Sequence, residues 1–472
     1  MLTDLSFLEY GKKWPPDSEQ ERLKTYDDNR RIFENEHSEI YRKQMRRIER
    51  VIGNFSDVIS FAVIFNYQKL ISIKIADLIF GEPPKITLED DTKQSTLDEI
   101  MQTVNLNELL YQSALDVSRF ADSIIMLSQS KTGSPELLAT PPRHWFPVVD
   151  KANIKKILYH VFCWPYQEEK RWYLKVQIHK PDEPGVCDEQ VYELLGSSDR
   201  HTIGRSVKSE EPMIDTRLNI CPVFRVSNTL TTDRVFGIDD YQDIDSIVSE
   251  LIVRISQISK VLDIHSNPSM SGPAGALEFD DMTQSYRLKV GNYFPLEGGE
   301  EGDARPQYLT WDASFDANFK QIELLINQLY TISEMGAAIF GDLTQKSGQV
   351  PSGSALRRLM MSPLSKAKRI RNRYDRELKA MLAACCSIKG LNIKPTDISI
   401  RWNDGLPSDP LEDAQIAQMR TGGNQTLSQW TAVKRLDNLA DKDADAELEM
   451  IRQDENANAP DALEPLAGEV DE

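Results

Sequence analysis

Asp239-Asp240-Tyr241-Gln242-Asp243-Ile244-Asp245-Ser246-Ile247-Val248-Ser249-Glu250-Leu251-Ile252-Val253-Arg254-Ile255-Ser256-Gln257-Ile258-Ser259-Lys260-Val261-Leu262 is the longest regular pattern in the chain. Within it Tyr241, Ile244, Val248, Leu251, Ile255, Ile258 and Leu262 recur at steps of 3, 4, 3, 4, 3 and 4 residues, an apolar heptad seam. Ile247, Ile252 and Val253 widen the stripe beyond a two-stranded seam. Asp239 and Asp240 are expected at the positive end of the helix, where carboxylates are favourable. A helix over 238–264 would be about 40 Å long at ~1.5 Å per residue. A second helical pattern, 314–335, offers Phe315, Phe319, Ile322, Ile326 and Leu329 as a matching face. A buried helical hairpin of ordinary type would carry the same seam; what lies between the helices argues for more.

The insertion from Asn267 to Trp311 begins with Pro268, Gly272, Pro273 and Gly275. It continues with an alternating strand pattern, Tyr286-Arg287-Leu288-Lys289-Val290, and an acidic glycine-rich turn, Glu297-Gly298-Gly299-Glu300-Glu301-Gly302-Asp303. So few apolar residues cannot sustain an independent domain. A small α/β tip carried on two long helices is most easily stabilised by neighbouring copies, which points to a ring or other symmetric oligomer.

Around this centre the 472 residues divide by pattern. Residues 17–50 carry nine acidic and nine basic side chains and read as a solvated helix. Asn66 to Phe80 has a helical apolar rhythm that Gly81-Glu82-Pro83-Pro84 terminates. Leu97 to Val117 reads as one further amphipathic helix. From Ile124 to Val226 the period changes to two, as in Ile157 to Phe162, Trp172 to Ile178 and Pro222 to Val226, with Asp182-Glu183-Pro184-Gly185 as a turn between runs. After the second long helix come a loop with several glycines and a basic helix interrupted by Pro363, where a kink is expected.

Charge is uneven. The total is −19, yet Asp404 to Glu472 alone holds 17 acidic and 5 basic residues, a net of −12. Arg357 to Lys379 reverses the balance with nine basic residues against Asp375 and Glu377. An acidic chain has no general affinity for DNA, because binding depends on basic groups displacing counterions from phosphates. Any DNA contact is therefore local or weak. The apolar run Val58 to Phe65 is far shorter than the ~20 residues of a spanning helix, so no membrane association is expected. Met1-Leu2-Thr3-Asp4-Leu5 shows no secretory pattern. Five cysteines, two of them adjacent at Cys385-Cys386, suggest neither a disulfide framework nor zinc, and fit a reducing cytoplasm.

Catalytic patterns are missing. There is no GxxxxGK[ST] and no HExxH, so any ATP-driven motor must be a separate protein. Lys131-Thr132-Gly133 and the SxxK matches at Ser128 and Ser365 stand in the wrong relation for a penicillin-recognising enzyme. Asp441, Asp443 and Asp445 start like a calcium loop, but Ala446 and Arg452 occupy its glycine and glutamate positions. Glu89-Asp90-Asp91 reads as a solvated turn rather than a metal site. No cofactor, no metal and no enzyme activity are expected.

The order of parts resembles that of bacteriophage portal proteins of the siphophage type, the ring-shaped head-to-tail connectors of tailed phages. The resemblance rests on Ile75 to Pro84, Val235 to Tyr241, Tyr308 to Asp312, Pro351 to Arg357 and Ile398 to Asp404, short stretches whose order and spacing count together. It implies an α+β, mainly helical fold with a wing (1–236), a first stem helix (237–266), a clip (267–311) and a second stem helix (312–335). A tunnel loop and long kinked helix returning to the wing (336–403), and an acidic helical crown and tail (404–472), would follow. It also implies a ring of twelve copies at one capsid vertex, the conduit for double-stranded DNA in packaging and ejection. Its partners would be the terminase large subunit, a head-completion or adaptor protein, and the major capsid and scaffolding proteins. The compartment is then the virion, and the host cytoplasm during assembly.

A conduit must not hold its cargo, and a ring multiplies each basic residue by the subunit number. Lys346, flanked by Gln345 and Gln349 as neutral donors, is the candidate for one sparse basic ring in the tunnel loop, although a solvated loop lysine would look the same. Asn292, Tyr293 and Phe294 are candidates for partner binding at the clip, where a folding core would use the same aromatics. The seven seam residues are expected to pack helices and subunits. Arg369, Arg373 and Arg376 fall on several sides of the basic helix; pairing with acidic surfaces of adjacent subunits is favoured over DNA binding. Two other classes stay open: a non-portal oligomeric scaffold or adaptor, lacking a hole of DNA width, and a carboxylate- or metal-dependent nucleic-acid-processing enzyme, betrayed by metal-dependent DNA cleavage.

Overall fold

The computed structural model describes residues 1–36, 63–88, 90–130, 132–197, 200–207, 213–216, 218–266, 270–273, 278–280, 285–287, 293–296, 307–308, 316–341, 353–403, 410–422, 425–436, 439 and 441–457. They form two units, one of Met1–Leu343 with Leu359–Gly405, the other of Thr344–Arg358 with Leu406–Glu472. The class is α+β, as expected.

In the first unit the period-two region folds into two antiparallel sheets. Strands β1 (Lys13–Trp14), β5 (Trp145–Val149), β6 (Ile157–Glu168), β7 (Arg171–His179), β8 (Val186–Ser197) and β9 (Arg200–Val207) run in the spatial order β1-β9-β8-β7-β6-β5, with β10 (Met213–Asp215) also on β8. A smaller sheet orders β11 (Val223–Ser227), β3 (Asp122–Gln129) and β4 (Pro135–Thr140) with β3 central. Alternation explains how the larger sheet is covered on both faces. Val161, Cys163, Leu174, Val176 and Ile178 bury against Leu2, Phe7, Leu8 and Trp14 of the N-terminal segment. Phe162 points the other way, into a cluster with Trp145, Ile124 and Val223. The N-terminal segment is thus a structural strap, and β1 extends the sheet by pairing Trp14 with His201.

Helices flank these sheets. In α1 (Gln20–Phe33), Asn29 donates to Arg119 O at 2.8 Å. The rest of the expected 17–50 helix lies largely outside the described residues, as do 37–62. α2 (Tyr67–Phe80) starts where the Asn66 side chain accepts from Lys69 N at 2.9 Å, and stops where Gly81 N bonds Asp77 O at 2.8 Å before Pro83 and Pro84. The single helix expected over 97–117 is two, α3 (Asp91–Thr103) and α4 (Leu106–Phe120). Asn105 between them takes the left-handed conformation at φ +46°, which Asn tolerates and which breaks the helix. Asp90 proves to be the cap of α3, accepting from Thr92 N at 3.1 Å.

The first long helix, α5, spans Asp245–Ser266 and not 238–264. Asp239 is not in its first turn: its carboxylate accepts from Tyr241 N and Gln242 N, both at 3.0 Å, closing a side-chain turn that delays the helix. The second, α6, spans Asp316–Ile332 and packs against α5. Between them β12 (Met270–Pro273) pairs in parallel with β15 (Tyr293–Leu296) and antiparallel with β16 (Gln307–Tyr308), while β13 (Glu278–Asp280) and β14 (Ser285–Arg287) form a hairpin. The described part of this insertion is thus made of strands.

The basic helix is interrupted at Met360, between α7 (Gly353–Leu359) and α8 (Met361–Ile388). Pro363 sits in the first turn of α8, where its missing N–H is not needed. The proline ring would crowd the carbonyl four residues back, Leu359, which is where the preceding helix ends. Tyr374 is buried, its hydroxyl 2.8 Å from Ser113 Oγ of α4 and its ring edge-on to Phe80 of α2. β2 (Lys85–Leu88) and β17 (Ile398–Arg401) pair antiparallel, Leu88 facing Ile398. Cys385 and Cys386 are free and buried.

In the second unit α10 (Gln429–Leu436) packs on both α9 (Pro410–Thr421) and α11 (Asp441–Ala457). Trp430 Nε1 donates to Asp445 Oδ1 at 2.7 Å, which gives one acid of the apparent calcium pattern a structural role.

Candidate assembly surface

The heptad seam splits along its length. Tyr241, Ile244, Val248 and Leu251 are wholly buried, with Ile252 and Val253 beside them, and Ile258 is nearly so. Ile255 is half-buried and Leu262 is 55% exposed. On α6 only Leu329 is fully buried; Ile322 and Ile326 are half-buried and Phe319 is 55% exposed. Phe315 lies outside the described residues. Leu324 at 58% and Ile332 at 43% add apolar exposure that the expected stripe did not include. Leu324, five residues from the buried Leu329, lies on the other side of α6, while Ile332, three residues from Leu329, flanks the buried face. The signal was present in the sequence, as leucines off the main stripe.

The inner end of α5 is tied down by polar contacts. The Tyr241 hydroxyl lies 2.9 Å from Ser72 Oγ, itself 2.9 Å from Ser118 Oγ, and burial pushes the tyrosine pKa upward. Asp240 accepts from Asn228 Nδ2 at 2.9 Å and pairs with Lys366 Nζ of α8 at 2.8 Å. Lys366 also donates to Ser333 O at 2.9 Å, so one buried ammonium joins the entrance of α5, the exit of α6 and α8. In the sequence Lys366 is one of the nine basic residues of 357–379. Its place in the apolar stripe of Pro363, Ala367, Ile370 and Tyr374 was the signal of a buried pair.

The basic residues of α8 are mostly engaged within the chain. Arg369 pairs with Glu334, Arg376 Nη2 with Glu377 at 2.7 Å, and Lys379 with Asp375 at 2.9 Å, while Arg371 donates to Leu78 O. Arg373 differs: it is half-buried and has no carboxylate partner among the described residues, and burial, reinforced by the nearby Arg369 charge, lowers its pKa. Lys346, Gln345, Gln349 and Asn292 lie outside the described residues. Tyr293 and Phe294 stand on β15 opposite Met270 and Ser271.

Among the described residues no helix is long and apolar enough to cross a membrane, and no group of three or more His, Cys, Asp or Glu side chains is arranged to hold a metal ion. The arrangement is one of packing surfaces and charge pairs.

The chain matches, over residues 13–461, the family described as "Phage portal protein, SPP1 Gp6-like". It belongs to that family of phage portal proteins, which is a structural one. No curated protein matches it. Among solved structures it is similar to a chain of "Neck of native GTA particle computed with C12 symmetry", at 13% identity and TM-score 0.44, covering 78% of this chain and 89% of that one. A chain of "Virion of native gene transfer agent (GTA) particle" is similar at 13% identity and TM-score 0.45, with the same coverage. One from "Neck of empty GTA particle computed with C6 symmetry" is similar at 12% identity and TM-score 0.45, again covering 78% and 89%.

Proposed function

We propose that copies of this chain close into a ring of twelve at one vertex of a tailed-phage capsid, the conduit through which double-stranded DNA is packaged and later ejected. Membership of the portal family over 13–461 is the observation that carries this reading. The exposed apolar side chains Leu262, Phe319, Leu324 and Ile332 support it, because neighbouring copies in a ring would cover them. In this reading α5 and α6 are the stem, 267–311 the clip, 1–236 the wing, 336–403 the tunnel loop with the long helix, and 404–472 the crown and tail.

The clip, with Asn292, Tyr293 and Phe294, then meets the terminase large subunit and afterwards a head-completion protein, and the wing meets capsid and scaffolding proteins. Assembly takes place in the host cytoplasm and the ring ends in the virion. Lys346, with Gln345 and Gln349, supplies the sparse basic ring of the tunnel. The decisive experiment is negative-stain electron microscopy of the purified chain with mass determination. Closed rings with a hole somewhat wider than duplex DNA are expected; a strict monomer at high concentration would sink the reading. Lys346→Glu should leave rings intact while lowering packaging of DNA in an in vitro terminase assay; unchanged packaging removes Lys346 from the channel.

A further inference from the structure

α6 ends in a turn whose backbone asks for glycine at a position that holds glutamate. Ser333 N still bonds Leu329 O at 3.0 Å, and Glu334 then takes the left-handed conformation at φ +62°. Gly336 at φ +67° and Gly341 at φ +86° enter the same region a little further on. Glycine reaches that region freely, whereas a residue with a Cβ is strained there. Just past the end of a helix the left-handed residue is usually glycine for this reason. What glutamate adds at position 334 is a carboxylate.

That carboxylate is used. α8 grips the turn at two consecutive residues: Lys366 Nζ donates to Ser333 O at 2.9 Å, and Arg369 Nη2 donates to the Glu334 carboxylate. Lys366 and Arg369 are three positions apart and share one face of α8. The two grips differ in kind. The Lys366 side chain is 10% exposed and also pairs with Asp240 at 2.8 Å, whereas Arg369 and Glu334 are 49% and 43% exposed. A buried ammonium cannot leave its counter-charge without stranding both. A half-exposed pair is weak alone and is screened by salt.

The rest of the turn is packed in place. Ser333 and Met335 are buried, the Tyr330 and Phe340 rings stack at 5.0 Å, and Gly336 N bonds Tyr330 O at 3.1 Å. One side of the turn is therefore fixed to α8, while the strained residue beside it relies on a contact that water and ions reach. Strain at Glu334 opposes the pair and is comparable to it in size, so the balance is close.

We propose that Glu334 and Arg369 form a reversible latch at the end of α6. The ion pair holds Glu334 in its left-handed conformation. Opening the pair lets the segment from Ser333 to Gly341 change course, while Lys366 keeps the end of α6 on α8. Raised ionic strength opens it. The latch lies within one protomer and stands apart from the ring reading above.

Hydrogen exchange of the full-length chain, read over peptides covering 330–341, tests it. Glu334→Gln keeps the strained backbone and removes the charge. It should speed exchange of the amides from Ser333 to Gly341 about threefold and leave α8 beyond Tyr374 unchanged. Arg369→Gln should do the same. Raising NaCl from about 0.05 M to about 0.5 M should speed the parent to the level of Glu334→Gln and leave that variant where it was. Glu334→Gly removes the pair and the strain together, so it should exchange more slowly than Glu334→Gln. A Glu334→Gln chain that exchanges like the parent overturns the latch, as does an equal salt response in both. If Glu334→Gly is no slower than Glu334→Gln, the strained backbone plays no part and the proposal fails.

Discussion

The two ends of α5 carry the same repeat and meet opposite fates. Val248, and Ile244 just before the helix begins, are wholly buried, whereas Leu262, in phase on the same seam, is 55% exposed. α6 repeats the contrast, with Leu329 buried and Phe319 and Leu324 exposed. A heptad pattern therefore states that a face will be covered; it does not state whether the chain itself does the covering. Near the sheets the protein closes its own seam and adds buried polar ties. Farther along, apolar surface is left for another partner, which in the proposed ring is a neighbouring copy.

The largest expected effect lies at the inner end. Asp240→Ala would strand the Lys366 ammonium in a buried site and should cost about 3–5 kcal/mol in thermal or urea unfolding of the unassembled chain. A loss under about 1 kcal/mol would show that this end is not a locked core.

Next comes the direct contrast of seam positions. Ile244→Ala should cost about 2–4 kcal/mol by leaving a cavity, while Leu262→Ala should stay within about 0.5 kcal/mol in the monomer. Equal costs at the two positions would erase the distinction between the ends.

Phe319→Ser and Leu324→Ser should likewise leave the unassembled chain nearly unchanged but shift assembly to higher concentration, read by light scattering. Assembly indifferent to both would mean that this apolar surface serves something other than self-association.

A smaller effect concerns pH. The folded Asp239 carboxyl titrates at about 6 against an ordinary 3.8, so the native state holds its proton more tightly than the unfolded chain. Its contribution is full below about pH 4 and is lost as pH rises through about 6. Asp239→Asn keeps an oxygen acceptor for Tyr241 N and Gln242 N while removing the charge. It should therefore flatten the stability profile of the unassembled chain between pH 4 and 6. A slope that survives the substitution would assign it to another group, Asp245 being the first to test.

Much of this was legible beforehand because it depends on local periodicity. The period-two runs became the strands of two sheets, and the seam of α5 was legible through Ile258. The stop after Phe80 was written in Gly81 and the prolines that follow. Misreadings came where a single side chain outweighed the pattern. Asn105 in a left-handed turn divided one expected helix, and Asp239 used its carboxylate on two nearby N–H groups and so delayed another.

By itself the sequence determined the α+β class, the order of elements, the uneven charge and the resemblance to portal proteins, all properties of neighbouring residues or of their order along the chain. Only the tertiary structure decided which charges are spent within the chain. Lys366 and Arg373 are seven positions apart on one helix, yet the first finds Asp240 and Ser333 O and the second finds no carboxylate among the described residues. Likewise the N-terminal strap against β9 and the pairing of Leu88 with Ile398 join segments far apart in the chain. The reason is physical: periodicity reports which way a side chain faces, while the energy of a charge or an apolar group depends on what stands opposite it.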